Sequence, residues 1–407
     1  MKFDNYLRLL IVNEMKKRKK IDAKKVMLPH SQAKLNFYKD YLKIYIPILR
    51  LAKFTTSINI FDVFCGTGIY ENGAKGSPIL AFEAIKESSD NISGINTQPT
   101  PINLFINDLE TKKVEEVKRY LQNKTKNVCK LEFYNKDAVN FLSDIDKTIN
   151  NQTSKDRNLI LIDPYGYKNI KKEYIEKLIT NKRNTEIILF LPISQIFRFA
   201  EKVLNDEDSN VKALKEFIES FFPDKNHPIY KNQLTDEKML IEYIRKALTF
   251  NDNFYATSYF IQRDNKNHFY ALFFITPSIY GLEKILDVKW SLNEKHGEGF
   301  EQPKQMQSLF ANQEKENAKQ EQYRKLEQIL LNYISTNKEV NNNQIYELTL
   351  KNMYLKKHAN EILRNLQKND KIIVTDAQTQ KNARKNAFYL GYDYFKKKTI
   401  KILISIK

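Results

Sequence analysis

Apolar residues between positions 58 and 191 fall into short continuous runs, and helical patterns separate these runs. Continuous apolar runs are typical of strands buried on both faces, whereas apolar residues three and four positions apart predict helices. The predicted strands span 58–64, 102–107, 131–134, 158–162 and 185–191. The predicted helices span 78–87, 110–123 and 170–181. This alternation favours an α/β fold with a doubly wound, largely parallel sheet.

The alternation stops after residue 191. Residues 198–250 have a charged helical pattern and are interpreted as an insertion in the sheet domain. Residues 255–276 indicate two strands around a polar turn, and so short a connection requires an antiparallel pair. Upstream of the sheet, residues 31–53 predict a helix that packs on the domain, with Ser31 as its N-cap.

The chain beyond residue 300 has a different pattern. A polar, Gln-rich segment typical of a linker precedes three amphipathic helices and a hairpin, which together predict a winged helix-turn-helix domain. The helices are expected at 323–336, 342–350 and 356–367, and the hairpin strands at "KIIVTDA" and "AFYLGYDYF". The predicted parts are a basic helical extension, a sheet domain, a linker and a winged helix with a basic tail, over 1–57, 58–300, 301–322 and 323–407.

The formal charge of +18 is concentrated at the two ends of the chain. Residues 1–30 hold nine Lys and Arg against three Asp and Glu, and residues 351–407 hold fourteen against four. This uneven distribution favours a polyanionic partner, nucleic acid first and DNA before RNA. Recognition helices enter the major groove and basic wings lie along phosphates, although winged helices also dock proteins. The candidate nucleic-acid-binding residues are Lys356, Lys357, Arg364, Lys381, Arg384 and Lys385.

A glycine-rich segment, "DVFCGTGIYENGAKGSP", follows the first predicted strand and allows a ligand to approach the backbone closely. A P-loop is a poor match, because Lys75 is one position late and no Ser or Thr follows it directly. A dinucleotide loop is also a poor match, because Ser77 and Pro78 put the next helix start nine residues after the glycine pair. The segment resembles the S-adenosylmethionine loop of class I methyltransferases, D-x-F-x-G-x-G. The candidate cofactor-binding residues in it are Asp62, Phe64, Gly66, Thr67 and Gly68.

Polar side chains also follow the next three strands, at the edge where open α/β sheets bind ligands. The resemblance to class I methyltransferases implies that Asp108 holds the cofactor ribose, with Asn107 as the competing candidate. It implies that Asp137 binds the adenine amino group, although an acid there would also suit a helix N-cap. The candidate target-positioning residues follow the fourth strand and are Asp163, Pro164 and Tyr165.

Three longer segments, "FCGTGIYENGAKGSP", "LIDPYGYKNI" and "FYALFFITPSIYGLEKILDVKW", together resemble the three-Cys-motif partner proteins, a bacterial group of predicted methyltransferases. "HSQAKLNFYKDYL" resembles the opening helix of that group. Cys65 stands where the family usually has Ala. The resemblance implies a Rossmann-like methyltransferase domain that uses S-adenosylmethionine, a winged helix, and a partner protein that bears three cysteines.

The "DPYG" sequence after the fourth strand bears on the atom that would be methylated. Base amino-methyltransferases resemble [DNS]-P-P-[YFW], in which the acid and a proline carbonyl accept hydrogen bonds from the exocyclic amine of an extruded base. "DPYG" has its aromatic residue one position early and resembles the motif of transfer-RNA guanine-N2 enzymes, so adenine N6 and guanine N2 both stay open. Cytosine C5 chemistry is disfavoured, because no Cys follows this strand.

Other features limit the alternatives. Two cysteines and no apolar run of membrane-spanning length suggest a reducing, cytoplasmic location, and five scattered histidines suggest no metal site. The expected function is therefore S-adenosylmethionine-dependent methylation of an exocyclic base amine in DNA or RNA. One alternative is a catalytically silent nucleic-acid-binding or sensor subunit of a bacterial defence or partner complex. Another is methylation of a protein or peptide.

Overall fold

A computed structural model describes residues 26–92, 100–122, 124, 128–167, 170–180, 183–203, 212–231, 234–262, 269–301 and 311–407. Residues 1–25 of the basic N-terminal extension, part of the predicted insertion and the first half of the predicted linker therefore lie outside the described residues. The chain divides into two compact units. The first comprises residues 1–240 and 261–272, and the second comprises 241–260 and 273–407.

An eight-stranded sheet has the strand order β3-β2-β1-β4-β5-β7-β6-β8. The strands are β1 (Ile58–Asp62), β2 (Ile102–Asn107), β3 (Lys130–Tyr134), β4 (Arg157–Ile162), β5 (Thr185–Leu191), β6 (Tyr255–Gln262), β7 (Phe269–Thr276) and β8 (Gly299–Phe300). Strands β3, β2, β1, β4 and β5 pair in parallel. The order reverses at β1 and β4, which is the position where doubly wound sheets bind ligands. The predicted fold, a Rossmann-like sheet of the class I methyltransferase type, is confirmed.

The first five helices of the first unit alternate with its first five strands, and three further helices follow β5. These helices are α1 (Pro29–Arg50), α2 (Ser77–Ile92), α3 (Thr111–Gln122), α4 (Ala138–Asn151), α5 (Lys172–Thr180), α6 (Ile193–Val203), α7 (Lys212–Phe221) and α8 (Glu237–Ala247), the last of which continues into the second unit. The predicted N-cap of the first helix is wrong. Leu28 occupies the N-cap position and Pro29 the first turn, because the fixed φ of proline suits a helix start and its missing N–H needs no partner there.

Amide side chains cross the buried strands in register at the end of the sheet opposite the glycine loop. Asn103 donates to Asn59 at 2.7 Å, and Asn59 donates to Asn158 at 3.2 Å. Asn158 in turn donates to the hydroxyl of Thr185 at 3.3 Å. These hydrogen bonds satisfy polar groups that would otherwise be costly in a buried sheet, and they fix the register of four neighbouring strands.

The second unit contains α9 (Ile279–Leu292), α10 (Ala311–Asn337), α11 (Asn342–Lys351), α12 (Lys356–Lys368) and α13 (Tyr392–Lys396). A three-stranded antiparallel sheet has the order β10-β11-β9, formed by β9 (Glu339–Asn341), β10 (Ile372–Asp376) and β11 (Ile402–Ile406). Three helices and this small sheet form the predicted winged helix.

Two predictions for this region need correction. The strand that pairs with β10 is not "AFYLGYDYF" but β11, in the stretch predicted to be a basic tail. Ile402 and Ile404 point into the core with the two-residue period of a strand, whereas residues 392–396 form a short helix after Gly391. The second half of the predicted linker, from residue 311, is the start of α10.

Helix α9 is joined to the winged helix by buried polar contacts. The hydroxyl of Tyr346 on α11 donates to the carboxylate of Glu283, and both side chains are buried. Lys356 also pairs with Glu283, at 3.1 Å. The indole N–H of Trp290 donates to the carbonyl of Met353 at 2.9 Å. These buried hydrogen bonds attach α9 to the winged helix, because breaking them would leave buried polar groups without partners.

Candidate methyl-transfer site at the carboxyl edge of the sheet

The glycine loop leaves β1 and folds back before the next helix begins. The N–H of Cys65 donates to the carbonyl of Asn107 at 2.8 Å, so the loop stays against the end of β2. Gly66 and Gly68 have φ values of +61° and +69°, in the left-handed region that favours glycine. A Cβ atom at Gly68 would lie 2.6 Å from Cγ2 of Val117 on α3, whereas a Cβ at Gly66 would enter open space. Gly66 therefore leaves its space to a ligand, and Gly68 is required for packing.

Two buried polar groups beside the loop have no hydrogen-bond partner among the described residues. Both carboxylate oxygens of Asp62 and the hydroxyl of Tyr38 on α1 are in this state. Burial raises the pKa of Asp62 to about 7, while the nearby Ser77 hydroxyl and Phe64 N–H oppose the shift. Burial, and then the charge of Asp62, raise the pKa of the Tyr38 phenol. Unpartnered buried groups are rare, and a cationic ligand group would satisfy this pair.

The two candidates for the ribose residue both accept hydrogen bonds from the backbone. The side-chain amide of Asn107 donates to the carbonyls of Val63 and Lys136, both at 3.1 Å, and its oxygen accepts from the Lys136 N–H at 3.0 Å. Asp108 accepts from the Gly66 N–H at 3.1 Å through Oδ2 and from the Glu110 N–H at 2.9 Å through Oδ1. Asn107 thus joins β2 to its neighbours, whereas Asp108 contacts the glycine loop, and binding of the ribose by Asp108 stays a prediction.

Asp137 is a helix N-cap, which is the alternative to adenine binding that the sequence also allowed. It is the N-cap of α4, and its carboxylate accepts from the Val139 N–H at 2.9 Å. Binding of an adenine amino group by Asp137 stays a prediction. Phe64 and Thr67 are half-buried in the loop, and the Thr67 carbonyl accepts from the Ile69 N–H at 2.7 Å.

Asp163 lies after β4 and forms an ion pair that the sequence did not indicate. The ammonium group of Lys34, which α1 carries, donates to Oδ2 of Asp163. Burial lowers the pKa of Lys34, but the charge of Asp163 and the hydrogen bond to it raise that pKa more, so the net shift is upward. The Lys34 ammonium also lies 4.7 Å from the ring centroid of Phe190, near the end of β5. The carboxylate is therefore held in a fixed orientation by a cation.

Tyr165 is at the mouth of the site, and Pro164 is buried beneath it. The Tyr165 side chain is 84% exposed, and its hydroxyl accepts from Lys113 at 3.0 Å. Lys113, on α3, is itself buried and lies 3.7 Å from Asp108 and 2.8 Å from Glu110. Burial opposes its charge, yet these acids and Tyr165 raise its pKa overall. Lys113 thus connects the candidate cofactor acid with the candidate target-positioning aromatic residue.

Of the two cysteines, Cys65 is buried and Cys129 is half-buried. Burial raises the pKa of Cys129 to about 12 and raises that of Cys65 further, which disfavours a thiolate at either position. No group of three or more His, Cys, Asp or Glu among the described residues could hold a metal ion. No helix in the described ranges is long and apolar enough to cross a membrane.

Most candidate nucleic-acid-binding residues of the winged helix face solvent. The exposed ones are Lys357, Arg364, Lys381, Arg384 and Lys385. Lys356 differs, because its ammonium pairs with the buried Glu283 of α9. His358, on the same helix, is also turned inward: its ring lies 4.4 Å from that of Trp290, and burial lowers its pKa to about 4. The exposed set keeps the charge that phosphate binding needs.

These features define a Rossmann-like α/β fold of the class I methyltransferase type that is followed by a winged helix. Residues 300–378 match the family model of the GMT-like wHTH domain. No curated protein sequence matches the chain significantly.

Several solved structures show limited similarity. A Legionella pneumophila protein of family DUF519 has 16% identity and a TM-score of 0.34, covering 63% of this chain and 91% of its own. Magnesium protoporphyrin IX methyltransferase from Synechocystis has 11% identity and a TM-score of 0.29, with coverage of 60% and 84%. A Plasmodium falciparum dimethyladenosine transferase has 14% identity and a TM-score of 0.27, with coverage of 70% and 77%.

Proposed function

We propose that this chain is an S-adenosylmethionine-dependent methyltransferase that acts on an exocyclic base amine of nucleic acid. The observation that carries the proposal is the combination, at one edge of the sheet, of an open glycine cradle at Gly66, an unpartnered Asp62 and an oriented Asp163. A ligand that brings a cation to Asp62 would satisfy that buried acid, and its polar groups could add hydrogen bonds to Asp108, which already accepts from the Gly66 and Glu110 N–H groups. S-adenosylmethionine has an α-ammonium group and ribose hydroxyls, so the residues present fit it.

Each residue has a defined task in this proposal. Gly66 admits the ligand to the backbone, Asp62 pairs with the ammonium group, and Asp108 accepts hydrogen bonds from the ribose. Bound S-adenosylmethionine would supply an electrophilic methyl group. Asp163 accepts a hydrogen bond from the target amine and directs the lone pair of its nitrogen toward that methyl, a positioning effect that can be worth ~10²-fold or more in rate. Tyr165, exposed at the mouth, provides a ring on which an extruded base can stack.

The substrate class depends on the winged helix. Its exposed basic side chains suit a phosphate backbone, and DNA is favoured over RNA because the predicted docking mode uses a recognition helix in a major groove. Adenine N6 and guanine N2 are the two target atoms. The resemblance to three-Cys-motif partner proteins adds a second protein, bearing three cysteines, as a proposed partner of the complex.

Transfer of tritiated methyl groups to genomic DNA and to total RNA, followed by mass spectrometry of the nucleosides, tests the activity. The expected product is N6-methyladenine or N2-methylguanine. Asp163→Asn should lose at least ~10²-fold in rate while its melting temperature and its affinity for S-adenosylhomocysteine stay near wild type. Glu173→Gln is the matched control, because Glu173 is an exposed acid on α5. Label on neither nucleic acid, with label on a peptide instead, would refute the substrate class.

One observation favours a catalytically silent binding or sensor subunit as the second candidate. Both candidate acids face lysines of the chain itself, Asp163 through Lys34 and Asp108 through Lys113. In a silent protein these pairs would fill the site permanently. Calorimetry separates the two candidates: an active enzyme should bind S-adenosylhomocysteine with saturation, whereas a filled site should bind neither S-adenosylhomocysteine nor S-adenosylmethionine.

A further inference from the structure

We infer that Lys34 is a positioning residue for the acceptor amine: it holds Asp163 through one carboxylate oxygen and leaves the other oxygen free for the substrate. This inference rests on the proposed function and adds to it a residue from outside the sheet. Lys34 lies 129 positions before Asp163 in the sequence and reaches it from α1. Nothing in the strand-end motifs points to it.

The two oxygens of the Asp163 carboxylate have different surroundings. Lys34 donates to Oδ2 of Asp163, and Oδ1 accepts no hydrogen bond from any residue in the described ranges. The two side chains are only 16% and 19% exposed, so water competes weakly for the pair. Charge-assisted hydrogen bonds of this kind are stronger and more directional than neutral ones. The free oxygen, Oδ1, is thus held in one orientation before any substrate arrives.

An aromatic column fixes Lys34 in turn. Its ammonium lies over the ring of Phe190, which stacks on Tyr270 of β7 at 5.1 Å with an 18° angle between the planes. Tyr270 stacks on His30 at 5.4 Å and 11°. His30 and Lys34 are one helical turn apart, so α1 is attached to the sheet edge at two points on the same face. The attraction between the ammonium and the face of the ring restricts the rotamer of Lys34.

The ion pair also bears on the proton that the acceptor amine loses, because Lys34 already occupies Oδ2 of Asp163. The other ionisable groups facing the pair are Tyr70 of the glycine loop, Tyr165 and Asp62. In a transfer from S-adenosylmethionine the nitrogen–carbon bond would form as the carbon–sulfur bond breaks, and the nitrogen would become cationic. Asp163 would accept a hydrogen bond from the amine at Oδ1, and the proton lost by the nitrogen would pass to water.

Lys34→Met removes the charge and keeps most of the volume, and Lys34→Arg keeps the charge. Lys43→Met is the matched control, because Lys43 is on the same helix in an exposed ion pair with Glu87 at 2.9 Å. Methyl transfer would be followed from pH 5 to 9 on the nucleic acid that the wild-type protein methylates. We expect Lys34→Met to lose about 10–10²-fold in rate, because Asp163 is then no longer held in one orientation. Lys34→Arg should keep the wild-type profile.

A second readout does not require activity. A double-mutant cycle of Lys34→Met and Asp163→Asn, followed by chemical unfolding at pH 7, should give a favourable coupling energy, because the two side chains are in contact. A Lys34→Met enzyme with the wild-type rate and profile would overturn the inference while an inactive Asp163→Asn leaves the proposed function standing. A wild-type protein that methylates nothing would overturn both. A coupling energy of zero at pH 7 would overturn the inference alone.

Discussion

The two loop glycines allow a sharp test, because the structure assigns them different tasks. Gly66→Ala and Gly68→Ala introduce the same methyl group at φ values of +61° and +69°. Left-handed backbone costs a non-glycine residue about 1–2 kcal/mol, so both variants should lose about that much stability from strain. In a unit of this size that corresponds to about 2–8 °C in melting temperature.

The expected results then diverge. The new Cβ of Gly68→Ala lies 2.6 Å from Val117, whose side chain is buried on α3, so the loop or the helix must shift. Gly68→Ala should therefore be clearly less stable than Gly66→Ala, and adding Val117→Ala should recover part of the loss. The Cβ of Gly66→Ala meets no atom of the protein. It should instead weaken binding of S-adenosylhomocysteine at least tenfold, which is about 1.4 kcal/mol.

Thermal unfolding and calorimetry measure both quantities on five proteins: wild type, Gly66→Ala, Gly68→Ala, Val117→Ala and the double variant Gly68→Ala/Val117→Ala. The reasoning is refuted if Gly66→Ala binds S-adenosylhomocysteine as tightly as wild type, because the open space at Gly66 would then be unrelated to the cofactor. Additive stability losses for Gly68→Ala and Val117→Ala would refute the packing role, since residues in contact are expected to show coupling.

Three further predictions concern other parts of the molecule. In calorimetry, the affinity for S-adenosylhomocysteine should rise with pH up to about 7 and then level off. Burial raises the pKa of Asp62 to about 7, and Asp62 must ionise to pair with the ligand ammonium. Asp62→Asn should bind the ligand weakly and show no such pH dependence. Tyr346→Phe should cost about 1.5–3 kcal/mol in chemical unfolding, because it removes a buried hydrogen bond to Glu283, whereas Tyr323→Phe, which removes an exposed bond to Glu361, should cost less than about 1 kcal/mol. Filter binding to duplex DNA across a salt series gives the slope of log affinity against log salt concentration. Replacing Lys381, Arg384 and Lys385 with Ala should reduce that slope by up to about 2.7, and an unchanged slope would exclude phosphate contacts by these residues.

The sheet could be predicted closely because its strands are buried on both faces. The predicted limits of β2 and β5 are those observed, and the other three parallel strands differ by no more than two residues at either end. Such strands have continuous apolar runs that no solvent-facing residue interrupts. The carboxyl ends of these strands also carry the predicted polar side chains, since parallel strands bring their ends to one edge.

The errors in the winged helix have a common physical cause. Phe388 and Leu390 are buried, which gave "AFYLGYDYF" the apolar content of a strand, but no strand in the described ranges pairs with it. The strand that does pair with β10 carries charge on both sides, at Lys401 and Lys407, and was interpreted as a tail. Burial alone does not distinguish a strand from an irregular segment packed on a core, because that distinction depends on where backbone hydrogen bonds go.

The ion pairs of the site could not be predicted from local pattern. Lys34 and Lys113 lie on amphipathic helices, where a lysine ordinarily belongs to the solvated face. Each lysine reaches its acid only because the order of the strands brings the end of a strand close to the helix. The spacing of residues along the sequence does not indicate that the two side chains meet. A hint existed in the composition of the first helix, whose lysine at position 34 lies between two positions, Ala33 and Leu35, that are buried.

The distribution of charge in the site favours different ligand groups at its different acids. Two of its three acids, Asp108 and Asp163, have a lysine of the chain beside them, and Asp62 has none. A cationic ligand gains most where a negative charge is buried and uncompensated, since there it replaces missing solvation as well as adding attraction. The ammonium of the cofactor should therefore settle at Asp62, which leaves the neutral Lys34–Asp163 pair to face an uncharged base. A neutral pair suits that task, because it can accept a hydrogen bond without attracting a second cation into the place of the substrate.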